Sequence, residues 1–184
     1  MNRVYIVDVS PLLNEEVYKY YYARVGKARQ EKADKMAFPM DKARSVGVGA
    51  LLRFAVEDCT DYNFDDLTFY EDENGKPKVS DDIFYFSLSH SGNYAVCAIS
   101  DTPIGVDIEE EKELPERIRK RFAKDVTEWT KREAKGKLTG NGFFDTTPDI
   151  YVYSHKKTDG MLITVCSDKE TTDFLYYHLP YPCN

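Results

Sequence analysis

PIGVDIEEEKELPERIRKRFAKDVTEWTKREAKGK, residues 103–137, opens as a strand and closes as a helix. Alternate side chains of a strand share a face, so Asp107 and Glu109 project together while Val106 and Ile108 enter a core. Two convergent carboxylates repel each other unless a proton or a cation stands between them. Oxygen-only ligation suits Mg²⁺, which keeps several waters and commonly takes phosphate oxygens too. A solvated strand end, continuing the acidic run to Glu111, is the plainer alternative. On the helix, Trp129, Glu133 and Lys137 fall at i, i+4 and i+8 and form one stripe. Glu133 can complete a metal shell or accept a proton, and Lys137 can neutralise a phosphate. As a mere surface ion pair the two would contribute only about 0.3–0.5 kcal/mol. Trp129, the only Trp in the chain, is expected to anchor the helix in the core.

Working outward, RVYIVDVS near the start reads as a strand. Asn14-Glu15-Glu16 is a helix start leading into a polar, Tyr/Lys-rich stretch that ends at Lys35. Apolar residues then recur at helical spacing through Val46, Leu51, Leu52, Ala55 and Val56. Gly47 and Gly49 lower helix propensity there but admit another backbone at close range. LTFYEDENGKPKV predicts a strand, a turn at Glu73-Asn74-Gly75 and an extended exit. IFYFSLSHSGNYAVCAIS predicts two strands joined across residues 89–93, and DIYVYSHKKTDGMLITVCS a hairpin. SGNYAVCAIS and TDGMLITVCS echo each other: a Gly, an apolar strand, a Cys. The echo predicts two similar α+β halves, 1–101 and 102–184, with no low-complexity linker between them and therefore a shared interface.

A hydrophobic content of 42% argues against wholesale disorder, and no apolar run approaches the ~18 residues of a membrane span. The first residues lack a basic then apolar leader pattern, so the cytoplasm is the expected compartment. The cysteines, at 59, 97, 166 and 183, form no CxxC pair, and with three His they argue against a zinc site. Cys97 and Cys166 sit in apolar runs and read as reduced core thiols. A net charge of −7 argues against nucleic acid, whose backbone demands a basic footprint. Scattered cations and hydroxyls nevertheless suit an anion: Arg29, Lys32, Arg44, Lys76, Ser89 and His90. A nucleophilic Ser89–His90 pair is disfavoured, because no GxSxG elbow exists and neighbours on a strand point apart.

FSLSHSG, then PIGVDIE, then WTKREAKGK in that order resembles the 4′-phosphopantetheinyl transferases of the larger, pseudo-twofold type. The resemblance runs back through GKARQEKADKMAFPMDKARSVGVGALLR and the NGKP turn, covering Val4 to about Ser167. It implies an α+β fold of two pseudo-twofold halves, each a small, mostly antiparallel sheet packed on a helix, with the active site at their interface. It also implies transfer of phosphopantetheine from coenzyme A to a carrier-protein serine, with release of 3′,5′-ADP and Mg²⁺ on the pyrophosphate. By the same resemblance Asp107, Glu109 and Glu133 are the metal carboxylates. Glu133 is also the base for the acceptor serine, and Lys137 serves the leaving phosphate. Arg29, Lys32, Arg44, Lys76, Ser89 and His90 hold the nucleotide phosphates. The implied alternative is a degenerate homologue that binds coenzyme A or a carrier without turnover.

Two departures stand out. The stretch from Glu109 to Trp129 is about half the usual length and the tail is short, and Arg132 stands where the family usually has Lys. Residues 117–137 carry nine Lys/Arg against three acids inside an acidic chain. That local excess suits an acidic acyl or peptidyl carrier protein, although a solvated helix face explains it too. Two halves in one chain predict a monomer.

Overall fold

A computed structural model describes residues 1–180, and Cys183 lies outside the described residues. Up to Ser100 the order is β1 (Asn2–Asp8), α1 (Glu15–Tyr22), α2 (Lys27–Asp34), α3 (Pro39–Cys59), β2 (Phe69–Glu71), β3 (Pro77–Val79), β4 (Tyr85–Ser91) and β5 (Tyr94–Ser100). After it come β6 (Gly105–Glu110), α4 (Glu116–Arg119), α5 (Val126–Thr139), β7 (Val152–Thr158), β8 (Met161–Ser167) and β9 (Asp173–Tyr177). Local chemistry sets these boundaries. Asn14 accepts from the backbone amides of Glu16 and Val17 and starts α1. Asp125 does the same for α5 through Glu128, and Gly140, at φ 79°, closes that helix in the left-handed conformation.

One sheet has the order β4-β5-β1-β9 and another β6-β8-β7, while β2 and β3 form a separate hairpin. Two stretches trace the same path. β1, α3, β4, β5 and β6, α5, β7, β8 each give a strand, a helix and a hairpin whose second strand returns antiparallel beside the first. The echoed Gly–apolar–Cys segments fall on β5 and β8, the strand flanked on both sides in each case. The chain is α+β, with small antiparallel sheets packed against helices. β9 is the element that alternation did not reveal: it pairs parallel with β1, so residues beyond Ser167 serve the first sheet.

Strand alternation sorts the core into layers. Tyr5 and Val7 of β1, with Ala95, Cys97 and Ile99 of β5, meet α3. Their neighbours Val4, Ile6, Val96 and Ala98 face the other way, onto Val106, Ile108, Ile163 and Val165 of the second sheet. The far side of that sheet carries α5, where Ala134 and Leu138 pack on Cys166. Both sheets therefore share one dry layer, and each keeps a helix on its outer face. Among the described residues no helix is long and apolar enough to cross a membrane.

Two packing expectations change. The close neighbours of Gly47 and Gly49 are side chains, Val9 for the first and Val25 with Arg29 for the second, not another backbone. Trp129 is only half-buried and lies outside the core, tilted against Phe143 with ring centroids 4.6 Å apart. The cause is Gly105: a Cβ there would collide with the Ala134 carbonyl, so α5 sits directly on β6. With Ala134 and Leu138 facing the sheet, the 129–133–137 stripe is turned sideways, out of the core.

Candidate active site

That sideways stripe faces a cavity of about 420 Å³. β6 contributes Asp107 and Glu109, which share the α5 side of their sheet with Gly105. α5 contributes Trp129, Glu133 and Lys137, β4 contributes Ser89 and His90, and α2 contributes Arg29 and Lys32. Eight of the ten residues singled out in the sequence thus line one space. The other two stand at its margin. Arg44 is drawn off by the Gly92 carbonyl (2.7 Å) and Asp41 (2.8 Å), bracing the β4–β5 turn. Lys76 donates to the Leu138 carbonyl at the end of α5 (2.8 Å) and lines an adjoining cavity that shares Glu133 and Lys137.

Alternate serines of β4 bind this edge of the first sheet to β6. Ser87 Oγ accepts from the Val106 amide (3.0 Å), Ser89 donates to Asp107 Oδ1 (2.9 Å) and Ser91 to Glu109 Oε2 (3.1 Å). Lys137 Nζ completes the knot, 2.7 Å from Asp107 Oδ1 and 2.8 Å from Ser89 Oγ. Ser87 and Ser91 were absent from the sequence-based set. Their signal is the period-two serine pattern of S-L-S-H-S, which puts three hydroxyls on one side of a strand.

Electrostatically the site is split. Burial raises the pKa of Glu133, Asp107 pushes it further up, and Lys137 pulls against both. Glu109 is raised for the same two reasons, offset by the Ser91 hydroxyl. Across the cavity, burial lowers the pKa of Arg29. His90 keeps an exposed edge, yet the crowding of its ring lowers its pKa, and Arg44, Lys137 and Arg29 push the same way. A cationic wall thus faces an acidic one, the arrangement that suits a polyanion bridged to carboxylates.

Among the described residues no three acidic, imidazole or thiol groups stand close enough to form a ready-made cation cage. Lys137 takes one side of Asp107. The other oxygen, Asp107 Oδ2, is buried without a hydrogen-bond partner. An orphaned carboxylate oxygen beside two carboxylates with raised pKa is a donor set short of one positive charge, and an oxygen-seeking cation fits it. Ser45 Oγ, also buried and unpartnered, lines the same cavity from α3.

The α+β fold thus holds a cleft of carboxylates and cations beside its two packed sheets. The family model described as "4'-phosphopantetheinyl transferase, N-terminal" matches residues 13–102. The chain is 28% identical over 162 residues to the 4'-phosphopantetheinyl transferase psf-1 of Bacillus pumilus, covering 76% of this chain and 70% of that protein. It is 28% identical over 183 residues to the transferase gsp of Aneurinibacillus migulanus, covering 96% and 76%. Against Sfp of Bacillus subtilis (strain 168) it is 28% identical over 143 residues, covering 77% of this chain and 63% of that one. Over most of its length the chain is thus similar to the 4′-phosphopantetheinyl transferases, and the family model covers nearly half of it.

Proposed function

We propose that the protein transfers the 4′-phosphopantetheine moiety of coenzyme A to a serine of an acyl or peptidyl carrier protein, releasing 3′,5′-ADP. The observation that carries this reading is one cavity lined by Asp107, Glu109, Glu133 and Lys137 on one side and by Arg29, Lys32, Ser89 and His90 on the other. In this reading the cationic wall holds the nucleotide phosphates. Glu133, whose raised pKa makes it a stronger base than an ordinary carboxylate, takes the proton of the attacking serine. The serine oxygen–phosphorus bond forms as the bond from that phosphorus to the departing 3′,5′-ADP oxygen breaks, and Lys137 neutralises the leaving phosphate. Asp107, Glu109 and Glu133 would hold Mg²⁺, which when bound lowers the charge on the pyrophosphate. A binding-only homologue would need the cations alone, so the four catalytic-type charges beside them favour turnover.

The same proposal divides the chain into halves at 1–101 and 102–184 related by a pseudo-twofold, supported by the shared strand–helix–hairpin path. It takes the protein as a cytoplasmic monomer acting on an acidic carrier. Purified protein, coenzyme A, Mg²⁺ and a panel of apo carrier domains test it by intact mass. One phosphopantetheine increment that disappears with EDTA is expected. No increment on any carrier, with coenzyme A binding intact, would turn the protein into the binding-only homologue.

A further inference from the structure

We infer that Thr130 and Thr164 are positioning residues, a buried hydroxyl pair that sets how α5 lies on its sheet and so holds Glu133 and Lys137 against Asp107 and Glu109; this rests on the transferase reading. The four charges come from two elements, so their mutual distances depend on how one is seated on the other. Thr130, Ala134 and Leu138 lie at i, i+4 and i+8 and are buried against the second sheet, one residue round from Trp129, Glu133 and Lys137. Ala134 and Leu138 meet Cys166 by apolar contact, which has no direction. Thr130 is different. Its Oγ1 stands 2.7 Å from Thr164 Oγ1, and neither residue has any exposed surface.

Thr164 lies directly opposite Asp107 in the β6–β8 pairing and directly opposite His155 in the β8–β7 pairing. Residues opposed in this way share a face, so Asp107, Thr164 and His155 form one row on the α5 side of the sheet. His155 Nδ1 is 3.0 Å from Thr164 Oγ1 at the exposed end of the row. At the helix end, Thr130 donates to the Thr127 carbonyl in the first turn of α5 (3.1 Å). A run of donors from the imidazole N–H through Thr164 and Thr130 to that carbonyl satisfies every member. Helix and sheet are thereby joined by a directional contact one strand away from Asp107. Two turns further along α5, Lys137 reaches Asp107 and Ser89. Held at two points, the helix is fixed in rotation as well as in position.

The chemistry of the pair favours position over stability. Replacing both partners of a buried hydrogen bond by apolar groups of the same shape is close to neutral for stability, and two valines would fill this space about as well. What they would lose is direction. Where several groups act on one reacting centre, a misplacement of about 1 Å can cost about a hundredfold in rate.

The double variant Thr130→Val/Thr164→Val tests this in the full chain. Kinetics on a carrier domain that the wild type modifies are measured beside thermal melts and the fluorescence of Trp129, the sole Trp of the chain and the neighbour of Thr130 on α5. Expected are a melting temperature close to wild type, a shifted Trp129 emission, a kcat lowered at least about tenfold and a coenzyme A KM within about twofold. Thr130→Ser, which keeps the hydroxyl, is expected to keep most of the rate. An unchanged kcat in the double variant would overturn the inference, as would an equal loss in Thr130→Ser. A kcat that falls only in step with the melting temperature would overturn it too, by making the pair a packing element. Wild-type protein that modifies no carrier would overturn the transferase reading and this inference with it.

Discussion

The stretches 1–100 and 105–167 share a chain path but divide the chemistry between them. The first brings hydroxyls and cations: Ser89 and His90 on its hairpin, Arg29 and Lys32 on α2. The second brings Asp107, Glu109, Glu133 and Lys137 on its opening strand and its helix. They differ in core as well. α3 covers the first sheet with an extensive buried cluster, whereas behind the second sheet only Ala134, Leu138 and Cys166 form the buried cluster on α5. Most of the apolar burial of the second sheet is against the first. On the proposed reading the larger stretch supplies the anion-binding wall, and its core cluster is the more extensive of the two. On the same reading the smaller one supplies the reactive charges, at a junction lined from both stretches.

This division makes its strongest prediction at Asp107. Asp107→Ala is expected to lower turnover by about a thousandfold while the melting temperature changes little, because loss of the Ser89 and Lys137 bonds to Oδ1 is offset by removal of the buried, unpartnered Oδ2. Thermal melts beside mass-based turnover check it; loss of fold in step with activity would make the carboxylate a structural member and erase the contrast between the two stretches. A smaller effect is expected on the basic face around α4. Arg119 is paired with Glu113 (2.8 Å), and Arg121 is exposed. Reversing both to Glu should raise the carrier KM several-fold, more at low salt than at high, and leave the coenzyme A KM unchanged. A parallel rise in both KM values would move this face from carrier docking to the nucleotide.

The smallest effect concerns Asp145, on the loop behind α5. Burial alone would raise its carboxyl, but the Thr147 amide and the Thr139, Thr147 and Asn141 side chains outweigh that and pull it down to about 2. A carboxyl lowered on folding stabilises above its unfolded pKa and loses that contribution as pH falls through the folded value. Asp145→Asn should therefore cost about 1 kcal/mol near neutral pH, and the gap from wild type should close between about pH 4 and pH 2. Urea melts across that range check it, and a gap that persists at pH 2 would deny the loop its carboxylate anchor.

Much of the site was legible because its residues obey two simple periods. Alternation on β6 put Asp107 and Glu109 on one face, and the four-residue step on α5 aligned Trp129, Glu133 and Lys137. What was not legible depends on packing between elements. Period alone did not show that Gly105 would draw α5 against β6 and turn Trp129 out toward Phe143. Nor did it show that the Leu138 and Gly92 carbonyls would claim Lys76 and Arg44, since a carbonyl acceptor has no side-chain signature. β9 went unseen for a related reason: its five residues gain their pairing from β1, some 170 positions earlier in the chain.

The central claim is that both stretches hold one ligand at their junction, and hydrogen exchange with and without coenzyme A and Mg²⁺ tests it most directly. Binding is predicted to slow exchange in α2 and the β4–β5 turn of the first stretch and, in the same experiment, in α5 and the end of β6 of the second. Protection confined to α2 and the turn, with α5 and β6 exchanging as in the free protein, would contradict it.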